Sequence, residues 1–195
     1  MGLAATRTGL TVADYLSCER ISEVKHEYVD GALFAMSGGS RAHSLIAVNL
    51  VSALHAALLD RPCEVHASDL RVKIATSSRY VYPDVTVVCG ELVFEDSHVD
   101  TLLNPTAIFE VLSETTEAYD RGDKFALYQS LPSLSEYLLV SQKEMRVEHF
   151  QRQSSGQWLL TVLGQGASFT LGSIAVTLDV DRVYAKVPMA PARAG

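Results

Sequence analysis

Ala107-Ile108-Phe109-Glu110-Val111-Leu112 is the stretch on which the reading of this chain turns. Apart from Glu110 its side chains are apolar on both faces, the pattern of a strand buried inside a sheet. An ionised carboxylate in such a strand is costly unless it is paired, hydrogen-bonded or bound to a metal. The neighbouring run upstream, Tyr80-Val81-Tyr82-Pro83-Asp84-Val85-Thr86-Val87-Val88, poses the same problem, because Asp84 falls within a second strand rich in Val, Tyr and Thr. Downstream, Asp120-Arg121-Gly122-Asp123-Lys124-Phe125 sets Lys124 about one helical turn past Asp120. A divalent cation between Asp84 and Glu110, with a lysine nearby, explains the two acids together.

The rest of the chain builds outward from this core. Pro105 opens the Glu110 strand, 106–112, and Ser113 to Tyr119 reads as a polar loop. Asp120 to Leu131 reads as a helix with Phe125, Leu127 and Tyr128 inward, ended by Pro132. Upstream, Glu64 to Ile74 is expected to be one strand, joined to the Asp84 strand by Thr76-Ser77-Ser78-Arg79, and Glu91 to Leu103 an exposed connection. Ser40, after the loop Ser37-Gly38-Gly39, caps a long helix to about Leu59, with Leu45, Ile46, Val48, Leu54 and Leu58 available to the core. His26 to Met36 alternates around Asp30-Gly31, a two-residue hairpin signal, and Thr11 caps an outer helix to about Val24 through Tyr15, Leu16 and Ile21. Beyond the Lys124 helix, Tyr137 to Val140 and Met145 to Phe150 flank Gln142-Lys143 as a hairpin. Trp158 to Leu163 and Ser168 to Leu171 are further strands, Val180 to Lys186 is a short last element, and Pro188 to Gly195 a disordered tail. The mixed order predicts an α/β (α+β) fold: one central mixed sheet flanked by helices, with an N-terminal helix and hairpin added, in a single domain over 1–187.

Composition narrows the function. The 195 residues are 48% hydrophobic, with no Gly/Ser-rich linker dividing them. No apolar run is long enough to span a bilayer, and the N-terminus lacks a basic stretch followed by a hydrophobic one, so a cytoplasmic protein with no membrane partner is expected. Cys18, Cys63 and Cys89 are odd in number and widely spaced, which predicts reduced thiols rather than a disulfide framework or a zinc site. A net charge of −7 means that a nucleic-acid partner must be met by a local basic patch. Mean hydropathy of +0.13 is high for such a chain and suggests that a second copy covers surplus apolar surface, as a homodimer.

Pro83-Asp84, then Phe109-Glu110-Val111-Leu112-Ser113, then Asp120-xxx-Lys124-xxx-Tyr128, resembles the Uma2 family of endonucleases, within the PD-(D/E)XK, restriction-endonuclease-like superfamily. The similarity extends to Glu27-Tyr28-Val29-Asp30-Gly31 with Met36 and His43, and to Glu136-Tyr137-Leu138-Leu139-Val140. It implies a restriction-endonuclease-like fold and a Mg²⁺ (or Mn²⁺) dependent endonuclease acting on nucleic acid, DNA above all. Asp84 and Glu110 would be the metal ligands and Lys124 the catalytic lysine. Glu27, His43 and Asp120 are secondary positions, with Asp120 orienting Lys124 and His43 staying neutral in its helix's first turn. One departure stands out: the superfamily's usual lysine lies two residues after the acid on the same strand, where this chain has Leu112.

Blander readings remain beside these. Asp84 and Glu110 can be strand acids satisfied by backbone donors or an arginine, and Lys124 a solvated helix residue bridging Asp120. Glu27 can simply brace the hairpin and His43 pack. His66 and Asp69 read as structural, and His55, His98 and His149 carry no local pattern. Tyr80, Tyr82 and Tyr119 read as core or rim residues before stacking platforms. The alternative to an enzyme is an inactive nuclease-like binding module. A metal-free sugar hydrolase using Asp84 and Glu110 lacks any sugar platform.

Overall fold

The structure is a computed structural model that describes residues 5–36, 38–74 and 78–189. Parts of three expected segments lie outside them: Ser37 of the glycine loop, Thr76-Ser77 of the strand connection, and 190–195 of the tail. The elements run α1 (Val12–Glu19), β1 (His26–Val29), β2 (Ala32–Ala35), α2 (Arg41–Leu58), β3 (Cys63–Ala67), β4 (Arg71–Ile74), β5 (Arg79–Val81), β6 (Val85–Cys89), β7 (Thr101–Leu102) and β8 (Ala107–Leu112). After β8 come α3 (Glu117–Tyr119), a π-helical turn (Asp120–Lys124) and α4 (Phe125–Tyr128). The chain continues through β9 (Glu136–Ser141), β10 (Arg146–Arg152), β11 (Trp158–Gly164), β12 (Ser168–Leu171), β13 (Val176–Asp179) and α5 (Val180–Val183).

Local signals hold where their chemistry is strong. Thr11 and Asp14 form a reciprocal capping box on α1, and the Ser40 hydroxyl accepts from the His43 amide at the start of α2. Asp30 and Gly31 both take positive φ, 48° and 92°, as the expected two-residue turn requires. The apolar faces need correction in part: α1 stops at Glu19 and leaves Ile21 86% exposed, and Val48 is 57% exposed while Leu50 joins Ile46, Leu54 and Leu58 in the core. Position 50 completes the i, i+4 row that the sheet covers, and position 48 sits off it.

The strand runs need a larger correction. Glu64 to Ile74 is broken by a tight turn in which the Asp69 amide donates to the Ala67 carbonyl at 2.8 Å, and 80–88 is broken at Pro83-Asp84. Proline has no N–H for a ladder, so pairing stops there. Each run therefore changes sheets at its break. One sheet has the order β2-β1-β5-β4-β7, the other β11-β10-β9-β8-β6-β3. Both are mixed, through the parallel pairs β4·β7 and β8·β9. The single central sheet of the sequence reading is thus the six-stranded one, with the five-stranded sheet beside it. The Glu91–Leu103 connection is not wholly exposed, since Thr101 and Leu102 form β7 and are buried against β4. Near the C-terminus β13 was missed: it pairs with β12, and the short last element is a helix, Val180–Val183.

One apolar cluster fills the space between α2, one face of the six-stranded sheet and the β12–β13 ribbon, joining Ile46, Leu50, Val87, Phe109 and Phe169. A second lies on the opposite face, where Ile108, Leu112 and Tyr137 meet Val72 and Val81 of the five-stranded sheet and Tyr128 of α4. Leu112, at the usual lysine position, is therefore core. Tyr80 is core too, packed with Tyr15 and Tyr28 under α1. The expectation of reduced thiols fails for two cysteines: Cys63 and Cys89 are register partners on β3 and β6 and form a disulfide, while Cys18 is free. Sequence spacing cannot reveal that pairing, because antiparallel register is what brings the residues opposite each other. No helix among the described residues is long and apolar enough to cross a membrane.

Candidate active site

The break between β5 and β6 is where the site forms. β6 runs antiparallel to β8 with Val85 opposite Phe109, so the residue before Val85 lies level with the residue after Phe109. That places Asp84 beside Glu110. The Asp84 Oδ2 accepts from the Val111 amide at 2.7 Å, a bond the interrupted ladder frees, and its Oδ1 meets His43 Nε2 at 3.1 Å. Asp84 is thus at the end of a strand rather than inside one.

Lys124 arrives from the π-helical turn. Its Nζ is 2.8 Å from Glu110 Oε1, 3.1 Å from Glu27 Oε1 and 3.7 Å from Asp120 Oδ1. The Tyr128 hydroxyl donates to the same Glu110 oxygen at 2.9 Å. The helix expected to begin at Asp120 begins at Glu117, and its middle widens into one π turn before α4. Such turns insert one residue and shift the side chains on either side of it around the axis. Asp120, Lys124 and Tyr128, spaced four apart through this turn, all face the strand acids. The Tyr137 hydroxyl anchors the turn by donating to the Asp120 carbonyl at 3.0 Å. At the far side, Gln142 joins Ser40 at the start of α2 to the Leu112 carbonyl at the end of β8, which fixes His43 against Asp84.

Three acids, Glu27, Glu110 and Asp120, converge on one lysine, and burial governs the electrostatics of the cluster. Burial pushes the Glu110 carboxyl up to about 8, against the pull of Lys124 and with the help of Asp120 and Asp84. Asp120 is raised for the same first reason, opposed by Lys124. Lys124 is itself raised well above its ordinary value: burial works against its charge, but Glu110 and Glu27 outweigh it. His43 corrects an expectation. The hydrogen bond to Asp84 raises its pKa despite burial, opposite in sense to the lowering expected at a helix start.

All six sequence-predicted positions, Glu27, Asp84, Glu110, His43, Asp120 and Lys124, line one cavity of about 830 Å³. Tyr128, Tyr137 and Gln142 were missed as supports. The Asp120-xxx-Lys124-xxx-Tyr128 spacing was a signal for the first, whereas Gln142 lies in a turn and only tertiary packing brings it to α2. Tyr82 and Tyr119 sit on the cavity's rim as expected. His66 pairs with Glu64 at 3.2 Å and Asp69 with Lys25 at 2.8 Å, both outside the acid cluster. His149, without pattern in the sequence, forms a buried pair with Glu136.

A mixed sheet with acids at a strand break and a helical lysine against them belongs to the restriction-endonuclease-like fold. A solved structure described as a "putative nuclease belonging to DUF820" from Anabaena variabilis superposes with a TM-score of 0.74 at 17% identity, covering 91% of this chain and 98% of that one. The chain belongs to the Uma2 family, whose model, described as "Putative restriction endonuclease", matches residues 12–181. Two Synechocystis proteins are similar over most of their length. The uncharacterized protein sll1609 is 39% identical over 86% of this chain and 95% of its own. The uncharacterized protein slr1290 is 38% identical over 90% of this chain and 91% of its own.

Proposed function

We propose that this protein is a metal-dependent endonuclease that hydrolyses phosphodiester bonds of DNA at a PD-(D/E)XK-type site. The observation that carries the reading is the approach of Lys124 Nζ to within 2.8 Å of Glu110, one ladder step from Asp84, at the base of an open cavity.

The donor chemistry fits a hard divalent cation. Glu27, Asp84, Glu110 and Asp120 line one cavity with Lys124, and burial, helped by Asp120 and Asp84, raises the Glu110 carboxyl to about 8. Asp84 and Glu110 would hold Mg²⁺ or Mn²⁺, which when bound neutralises phosphate charge and acidifies water. The chain's own groups do the rest. Val111 N–H and Tyr128 O–H fix the two carboxylates, so little reorganisation is needed when substrate arrives. Lys124, held by Glu110 and Glu27 in the free protein, donates to a phosphate oxygen as negative charge grows on it. Asp120, four residues earlier, keeps the ammonium aimed at the acids. His43 restrains Asp84 from the α2 side. The protein acts as a homodimer in this reading, supported by the exposed apolar residues Leu159, Leu160 and Val162 on the edge strand β11.

Supercoiled plasmid with Mg²⁺ or Mn²⁺ tests the reading: the wild type nicks it, and Asp84→Ala and Lys124→Ala each lower the rate at least about 100-fold. Titration calorimetry shows the metal binding wild type and not Asp84→Ala. Nicking that survives both substitutions removes the site from the mechanism. Metal binding without nicking by the wild type favours a binding module, a reading consistent with Lys124 being held against Glu110 at 2.8 Å and with Leu112 at the strand position.

A further inference from the structure

We infer that the site accepts an unpaired DNA strand, one nucleotide inserted into the cavity, rather than an intact duplex; the inference rests on the phosphodiesterase reading above and specifies its substrate. Three independent features of the cavity lead there.

The first is depth. The side chains of Glu110 and Lys124 are 5% and 6% exposed, and those of Glu27 and Asp84 12% and 14%, so a phosphate must descend below the surface to reach them. A single strand can lower one phosphodiester into a recess by rotating its own backbone. A duplex is stiff over many base pairs and must bend or unpair to do so.

The second is charge. Among the described residues lining the cavity, the acids are Glu23, Glu27, Asp84, Glu110 and Asp120, and the lysines are Lys25 and Lys124. Both lysines are engaged, Lys25 with Asp69 at 2.8 Å and Lys124 with Glu110. Recognition of a duplex through its two phosphate tracks depends on many Lys and Arg contacts. This cavity supplies no such row, so affinity has to come from elsewhere.

The third feature supplies it. The same cavity has an apolar part: Phe34 and Met36 come from the end of the hairpin, and Ala47, Val48 and Val51, between Ser44 and Ser52, from α2. Ala47 and Val51 flank the buried row at 46, 50, 54 and 58 and pack against its cluster, while Val48 stands clear of it, exposed. Val48, which the sequence reading assigned to the core, is thus exposed and lines this cavity. An apolar wall a short way from a phosphate-reacting cluster matches a nucleotide whose base is unpaired and free to lie against it.

A fluorescein-labelled 20-mer, alone and annealed to its complement, tests the inference. Binding is read by anisotropy with Ca²⁺ in place of Mg²⁺, and cutting on gels with Mg²⁺ or Mn²⁺. The single strand is expected to bind and be cut at least about tenfold better than the duplex. Val48→Glu should weaken single-strand binding at least about fivefold with an unchanged circular dichroism spectrum, and Val48→Phe should restore it. Duplex bound and cut as well as the single strand, with cutting lost in Asp84→Ala, overturns the strand preference and leaves the phosphodiesterase reading standing. Single-strand binding sensitive to Val48→Glu but without cutting keeps the preference and removes hydrolysis. Failure to bind or cut either form overturns both.

Discussion

Glu110 shows at the scale of one residue what the site costs the fold. In the folded protein its carboxyl is pushed up to about 8 by burial, whereas in the unfolded chain it titrates near its ordinary 4.5. Between those values the folded state keeps a proton that the unfolded state has released, so stability falls as pH rises from about 4.5 to about 8. Glu110→Gln, neutral in both states, should flatten this fall, leaving the part due to Asp120 and His43, whose pKa values are raised in the same sense. Urea denaturation in EDTA across that range checks the outcome, and an equally steep fall in Glu110→Gln and wild type would refute it. The acids themselves were legible in the sequence because a charge stands out in an apolar strand. Their partners Tyr128 and the Val111 amide were less so, since one needs the π turn and the other a register.

At the scale of the element, the π turn does what the missing strand lysine would do. Leu112 occupies that position and is buried in the core, so the ammonium has to come from the next element. Deleting Gly122 should return 120–124 to an ordinary α-helical turn and leave Lys124 three residues from Asp120, off the four-residue spacing on which both meet the acids. Helix content by circular dichroism should persist while plasmid nicking falls at least about 100-fold. Gly122→Ala is the control: a Cβ there meets nothing within 4 Å, so the substitution should keep activity and stabilise by about 0.5–1 kcal/mol. An active deletion variant would show that the lysine's placement does not depend on the inserted residue. The helix was predictable from its apolar spacing, but the π turn was not, because no residue pattern in Asp120 to Lys124 separates the two hydrogen-bond registers.

At the scale of the whole molecule, β11 leaves an edge unpaired among the described residues. Trp158 to Gly164 contains no charged residue and no proline, and Leu159, Leu160 and Val162 are 53%, 46% and 53% exposed. Folded proteins usually blunt such an edge with lysine or proline, or cover it. If the proposed homodimer uses it, Leu160→Lys should turn a dimer into a monomer in sedimentation equilibrium at micromolar protein without changing the melting curve of the monomer. A wild type that sediments as a monomer would end that proposal.

The sequence by itself determined the elements with local causes: the capped helices α1 and α2, the Asp30-Gly31 hairpin, the β8 strand and the identity of the charged trio. These follow from turn chemistry, capping and periodicity, which act within a few residues. Only the tertiary structure decided which sheet each half of 64–74 and 80–88 joins, that Cys63 faces Cys89, and that Val48 lines a cavity instead of the core. Those outcomes depend on register and on which faces meet, relations between residues far apart in the chain that no local pattern encodes.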